Sequence, residues 1–139
     1  MIHISSDVLE LLKGIDYGLP EVDVRDVYLT DDPHLPMITV DEFPGNDGVY
    51  LDNHPSIVTN IFTIECYATQ MMVDGSPQTG KAVAYRLMDL ADRELTGNLG
   101  LTMQGTITAA PYSDQRVFRA VARYVAYIDT RNGTILRSI

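Results

Sequence analysis

The chain has 139 residues, a formal net charge of -9 and 45% hydrophobic residues. This length predicts a single domain over 1–139 with one core and is too short for two self-sufficient ones. The charge argues against a nucleic-acid-binding protein, because affinity for the phosphate backbone comes from Lys and Arg. It is compatible with a channel for DNA, because an acidic wall repels DNA and lets it slide through. No stretch approaches the roughly 18 apolar residues of a membrane span, and no secretory signal is visible, so we expect synthesis in a cytoplasm.

The first part of the chain predicts a short helix and two strands. Ser5–Asp7 offer oxygens that cap a helix, and apolar residues follow at helical spacing, at Val8, Leu11, Leu12 and Ile15. Residues 21–29 alternate as a strand whose frame shifts, which predicts a bulge at Arg25–Asp26. A polar turn then leads into a second short strand over 36–40.

The middle of the chain predicts two extended loops around one strand. Residues 41–56 show no periodicity, yet they carry Phe43 and Tyr50 among Pro, Gly and Asn. Loops of this length are usually functional or disordered, and their apolar residues argue against simple solvation, so we interpret 41–56 as an arm for a partner. Residues 69–78 predict a second, flexible loop with Met71 and Met72. Between the loops, a strand over 60–68 turns Glu65 and Tyr67 outward.

The last part of the chain predicts a long helix and two long strands. Helical spacing of apolar residues indicates a helix over 79–95. Strict alternation predicts half-buried antiparallel strands over 101–110 and 117–128, and Asn132–Gly133 predicts a two-residue turn before a short final strand. The sum is an α+β fold: a mainly antiparallel or mixed sheet of about four to five strands, both helices on one face, and a C-terminal hairpin.

The segment Gly75–Lys81 resembles a phosphate-binding loop before a helix. Its last position fails, because Ala82 stands where a Ser or Thr hydroxyl would hold magnesium. Residues 70–74 also separate its first glycine from the preceding strand. We interpret the segment as a plain loop, and a nucleotide-binding enzyme remains the least favoured alternative, beside a small-ligand binding module.

No other residue pattern indicates chemistry. His3, His34 and His54 lie in three separate segments, and none has a second ligand at metal spacing. Cys66 belongs to the apolar side of its strand and is expected to be a buried small hydrophobe, and no histidine is positioned to activate a nucleophile. We therefore expect no catalytic residue, no metal site, no cofactor and no enzyme activity.

Two arginines stand out on the last long strand. Arg119 and Arg123 share its polar face and alternate with valines. They lie about 13 Å apart, at roughly 3.3 Å per residue, so they form a row and not one pocket. Such a row suits a subunit interface with carboxylate partners such as Glu65, Asp89 or the loop acids. A solvated strand face is the competing interpretation.

The order of these elements resembles the tail-terminator and tail-completion proteins of long-tailed bacteriophages. The likeness spans nearly the whole chain and consists of pattern and order. It is carried by the capped helix after Ser5, Pro36–Val40 with its acidic loop, Phe62–Ala68, the helix beginning at Lys81, and Arg123–Asp129. The Met71–Met72 loop and the hairpin after Asn132 match no fixed pattern of that family.

The resemblance implies a structural virion protein without catalytic residues. Similar proteins form a hexameric ring that caps the tail tube, ends its growth and meets the head connector, with DNA passing through the middle. On this reading the arginine row meets a second copy, and the interface candidates in the two loops contact tail tube or neck protein; the set is Arg119, Arg123, Glu65, Tyr67, Phe43, Tyr50, Met71 and Met72. Another ring of the neck, a stopper or connector, is the main alternative.

Overall fold

A computed structural model describes residues 4–26, 34–44, 49–51, 54–112 and 114–136. Two helices and nine strands are defined in this part of the chain. In chain order they are α1 (Ser5–Lys13), β1 (Asp23–Asp26), β2 (Met37–Pro44), β3 (Val49–Leu51), β4 (His54–Ala68), β5 (Met71–Val73), β6 (Ser76–Gln78), α2 (Gly80–Gly97), β7 (Thr102–Tyr112), β8 (Asp114–Asp129) and β9 (Thr134–Leu136).

The main sheet has the strand order β1-β2-β4-β8-β7, with β3 beside β4 and β9 beside β8. Strand β1 is parallel to β2, and the other neighbours are antiparallel. The predicted α+β class with a mainly antiparallel sheet is therefore confirmed. The predicted strand number was too low: seven strands belong to this sheet, because the short strands β3 and β9 pair with β4 and β8 at one end of it.

The core lies between the two helices and one face of this sheet, which we call the inner face. Strand β8 places every second residue there, and its inner residues from Ala120 to Ile128 are buried. Helix α1 contributes Val8 and Leu12, and α2 contributes a longer stripe; its buried residues are Val83, Ala84, Leu87, Met88, Ala91 and Leu95. Since helices and inner face share one apolar cluster, both helices pack on the same side of the sheet.

Two polar contacts fix the helices to the sheet. The Tyr124 hydroxyl donates to Asp92 Oδ1 at 2.7 Å, which ties β8 to α2. Glu42 Oε2 accepts from the backbone N–H of Ile4 and from Asn60 Nδ2, both at 2.9 Å. The carboxylate of Glu42 thus joins the start of α1 to β2 and β4.

The prediction of an extended loop over 41–56 was wrong for the described residues. Strand β2 continues through Pro44, and β4 begins at His54. Strand β3, which lies between these two strands in the sequence, pairs with β4. Alternation was hidden because Glu42 points to the inner face, where its hydrogen bonds replace the apolar contact that the pattern requires. Residues 45–48 and 52–53 lie outside the described part.

The prediction of a flexible loop over 69–78 was also wrong. Strands β5 and β6 pair as an antiparallel hairpin, with Met72 opposite Pro77 and Val73 opposite Ser76. Asp74 and Gly75 form its turn with φ of 51° and 79°. An Asp-Gly pair favours this positive-φ hairpin turn, so the sequence did contain the signal.

The C-terminal hairpin is confirmed as β8 and β9, but its connection has four residues and not two, since Asp129 pairs with Thr134. The Asp129 carboxylate accepts from Arg131 Nη2 at 2.9 Å and from the backbone N–H of Arg131. This partner holds the pKa of the Asp129 carboxyl below its ordinary value. The extra two residues give the Asp129 side chain room to cap the turn.

At the other end of the sheet, β1 pairs with β2 in regular register from Asp23 to Asp26. The predicted bulge at Arg25–Asp26 is therefore absent from the described strand, and residues 27–29 lie outside it. The helix predicted over 79–95 and the strands predicted over 101–110 and 117–128 are present. The pairing of β7 with β8 shifts register between Gln104 and Thr108 and again between Pro111 and Tyr112; Gly105, within the first shift, has a φ of 71°.

Cys66 lies at the centre of the inner face and is fully buried. Burial raises the pKa of its thiol far above the ordinary value. We expect the native protein to resist an aromatic disulfide reagent at pH 8, because only an accessible thiolate reacts. Absorbance should report one thiol per chain after denaturation, and rapid labelling of the native protein would contradict this placement.

Candidate functional site

The face of the sheet opposite the helices is the candidate functional site, and we call it the outer face. It consists of every second residue of β4 from Ile57 to Tyr67 and of β8 from Arg119 to Asp129, with their cross-strand partners. Five predicted interface residues lie on it: Arg119, Arg123, Glu65, Tyr67 and Phe43. Neither described helix packs on this face.

A polar cluster occupies one end of the outer face. Tyr67 and Arg119 are direct cross-strand partners, and the Arg119 guanidinium lies 3.9 Å from the Glu65 carboxylate. The Tyr67 hydroxyl donates to the same carboxylate. Glu65, which the sequence suggested as a partner across an interface, is therefore engaged within its own chain, and so is Arg119.

Arg123 differs from Arg119. It is exposed, its cross-strand neighbours are Thr63 and Gln104, and within the described residues its side chain has neither a hydrogen bond nor an ion pair. An exposed strand cation beside two uncharged neighbours is free to meet a carboxylate of another molecule.

Next to Arg123, the other end of the outer face is apolar. Tyr127 and Leu136 are cross-strand partners on β8 and β9, and they remain 40% and 37% exposed. Half-buried Phe43 and Ile61 lie beside them on β2 and β4, together with Val125 of β8, which is buried. Sequence reasoning missed Tyr127 and Leu136, although the alternation of β8 extended one step beyond Val125 would have placed Tyr127 here.

The remaining interface candidates lie elsewhere. Met71 and Met72 belong to the β5–β6 hairpin; Met71 packs against the core, whereas Met72 is 58% exposed. Tyr50 lies in β3 opposite Pro55, and its side chain is outside the described part. The structure therefore gathers five of the eight candidates on one surface and puts one, Met72, on a projecting hairpin.

The phosphate-loop resemblance corresponds to a different structure. Gly75 belongs to the β5–β6 turn, and Ser76–Gln78 form a paired strand, whereas a phosphate-binding loop wraps its free N–H groups around the ligand. Thr79 caps α2 by accepting from the Ala82 N–H at 3.1 Å. An open cavity of about 720 Å³ adjoins this helix start, with Lys81 and Arg116 in its wall.

The described part of the chain contains neither a cluster of metal-ligand residues nor a helix that could span a membrane. No three His, Cys, Asp or Glu residues there come together as metal ligands would. Neither of its helices combines the length and the apolar character that crossing a bilayer demands. The chemistry that is present is that of a surface: free charge beside exposed apolar side chains.

Comparison with known proteins finds no match, either to a protein-family model or to a curated protein.

Proposed function

We propose that this protein is a structural assembly protein that forms a ring at the end of a bacteriophage tail tube, as tail terminators do. The observation that carries the proposal is that the helices cover only one of the two faces of the sheet. Helices cover the inner face, and no described helix covers the outer face, which presents the free cation Arg123 beside the exposed pair Tyr127 and Leu136. Exposed apolar groups rimmed by polar ones are typical of protein–protein contacts.

A ring requires a heterologous contact, in which one surface meets a different surface of the next copy. The outer face is one such surface. It is not dominated by one charge sign, because Glu65 offsets Arg119, so two copies are not held apart there by strong repulsion. The net charge of -9 supports a channel through which DNA passes without being held.

In this role the partners are further copies of the chain, tail tube protein and a connector protein of the neck, and the place of action is the virion, with assembly in the bacterial cytoplasm. Another neck ring, a stopper or connector, would use the same kind of surface and differ in its partner. A nucleotide enzyme gains no support from Gly75–Lys81, because that segment contributes a strand and a helix start.

The proposal predicts a particle whose mass is a fixed multiple of the 15.4 kDa chain. We expect native mass spectrometry and negative-stain images to show closed rings, either alone or after mixing with tail tubes. Tubes assembled in its presence should stop at a uniform length and carry the protein at one end. A chain that remains monomeric at all concentrations and ignores tubes contradicts the proposal, and rings that bind only neck proteins favour the stopper or connector role.

A further inference from the structure

Among the described residues, three large hydrophobic side chains are exposed, and they lie at two opposite ends of the sheet. Met72 belongs to the hairpin that follows Ala68, at the end where β4 pairs with Phe118 of β8. Tyr127 and Leu136 lie nine residues further along β8, which is about 30 Å at 3.3 Å per residue. The two apolar surfaces are therefore too far apart to cover each other within one chain.

The hairpin is built as a supported projection. Val73 is buried and Met71 packs against the core, so its inward side is anchored. Its outward side presents Met72 opposite Pro77. Asp74, at the turn, is exposed, and in the described part of the chain it has no hydrogen bond or ion pair. The hairpin thus offers an apolar pair and a free carboxylate on a fixed support.

The outer face offers the complementary set. Tyr127 and Leu136 supply an apolar surface, and Arg123, four residues before Tyr127 on the same strand face, supplies a free cation. Arg123 and Tyr127 project about 13 Å apart, and Met72 and Asp74 about 7 Å apart, a difference that the long arginine side chain can span. The apolar group and the charged group of the hairpin can therefore each meet a complementary group on the outer face: Met72 can meet Tyr127 while Asp74 meets Arg123.

We propose that the β5–β6 hairpin of one copy docks on the outer face of the next copy, with Met72 against Tyr127 and Leu136 and Asp74 close to Arg123. This inference rests on the proposed ring and names the contact that closes it. Methionine sulfur packs well on an aromatic ring, and the ion pair sets the register. Because the two surfaces differ and lie at opposite ends of the sheet, the contact is heterologous, as a ring requires.

A cysteine pair tests the contact directly. In the double variant Met72→Cys with Leu136→Cys, oxidation should link neighbouring copies and give a ladder of covalent oligomers on a denaturing gel that ends at the ring mass. The native Cys66 is buried and should not interfere. Each single variant should remain unlinked, because residue 72 of one copy faces residue 136 of the next copy and not another residue 72. Pairing Met72→Cys with Ser6→Cys on α1 is the matched control and should give no ladder.

A charge exchange tests the register. Asp74→Arg and Arg123→Asp should each raise the concentration for half-assembly about tenfold, and the chain with both changes should return close to the native value. If native rings form but the cysteine pair gives no ladder, or the exchanged chain is no better than the single variants, the docking inference is overturned and the ring proposal stands. If the native chain forms no ring even with tail tubes, both fall.

Discussion

Replacing Phe62 by alanine should lower the free energy of unfolding by about 3–5 kcal/mol. Phe62 is fully buried, and it lies in β4 between Glu42 of β2 and Tyr124 of β8. Removing its ring withdraws apolar surface from the core and leaves a cavity that two paired neighbouring strands cannot close. Urea unfolding followed by circular dichroism would measure the loss.

Phe43→Ala is the matched control for that experiment, since it removes the same ring from the other face of the same sheet. Phe43 is only half-buried and lies opposite Ile61 on the outer face. We expect its loss to cost under about 1.5 kcal/mol, well below the values typical of a buried phenylalanine, while weakening the proposed self-assembly. Equal losses of stability at the two positions would mean that the outer face is as well covered as the inner one.

The elements that could be predicted from sequence are those with one buried face and one face that does not pack on the core. Strand β8 alternates from Phe118 to Ile128 because its inner side chains meet the helices and its outer ones do not. Helix α2 repeats its buried residues every three to four positions for the same reason. In both cases the hydrophobic pattern directly records the layered packing.

The elements that were missed break that pattern locally. Glu42 occupies an inner position of β2 and is accommodated by the backbone of Ile4 and the side chain of Asn60. Those two partners come from 38 and 18 residues away in the chain, so no local window can reveal them. The β5–β6 hairpin was missed for another reason: its strands have three residues each, too few to establish a period of two.

The candidate surface was predicted in part. Alternation put Arg119 and Arg123 on one strand face, and the structure agrees. What alternation cannot give is which residue stands across the strand: Glu65 near Arg119, Thr63 and Gln104 beside Arg123, Leu136 beside Tyr127. These neighbours decide which arginine is engaged and which is free, and they depend on strand register.

The protein should lose stability steadily as the pH rises above about 8.5. Burial raises the pKa of the Cys66 thiol and of the Tyr17 and Tyr124 phenols, and the hydrogen bond from Tyr124 to Asp92 raises that of Tyr124 further. In the folded chain these groups stay neutral, whereas in the unfolded chain the thiol ionises near pH 8.5 and the phenols near pH 10. Their contribution is therefore complete below pH 8.5 and declines as the pH rises.

The slope of the unfolding free energy against pH counts the protons that unfolding releases. The number of protons released should rise by about one between pH 8.5 and 10, from Cys66, and by about two more above pH 10, from Tyr17 and Tyr124. Urea titrations at pH 7, 9.5 and 11 would measure it. Cys66→Ala should remove the first increment, and Tyr124→Phe should remove one proton of the second, whatever each change costs at pH 7. If both variants keep the native slope, the buried thiol and phenol ionise in the folded chain, and the packing of α2 on β8 is looser than the contact between Tyr124 and Asp92 requires.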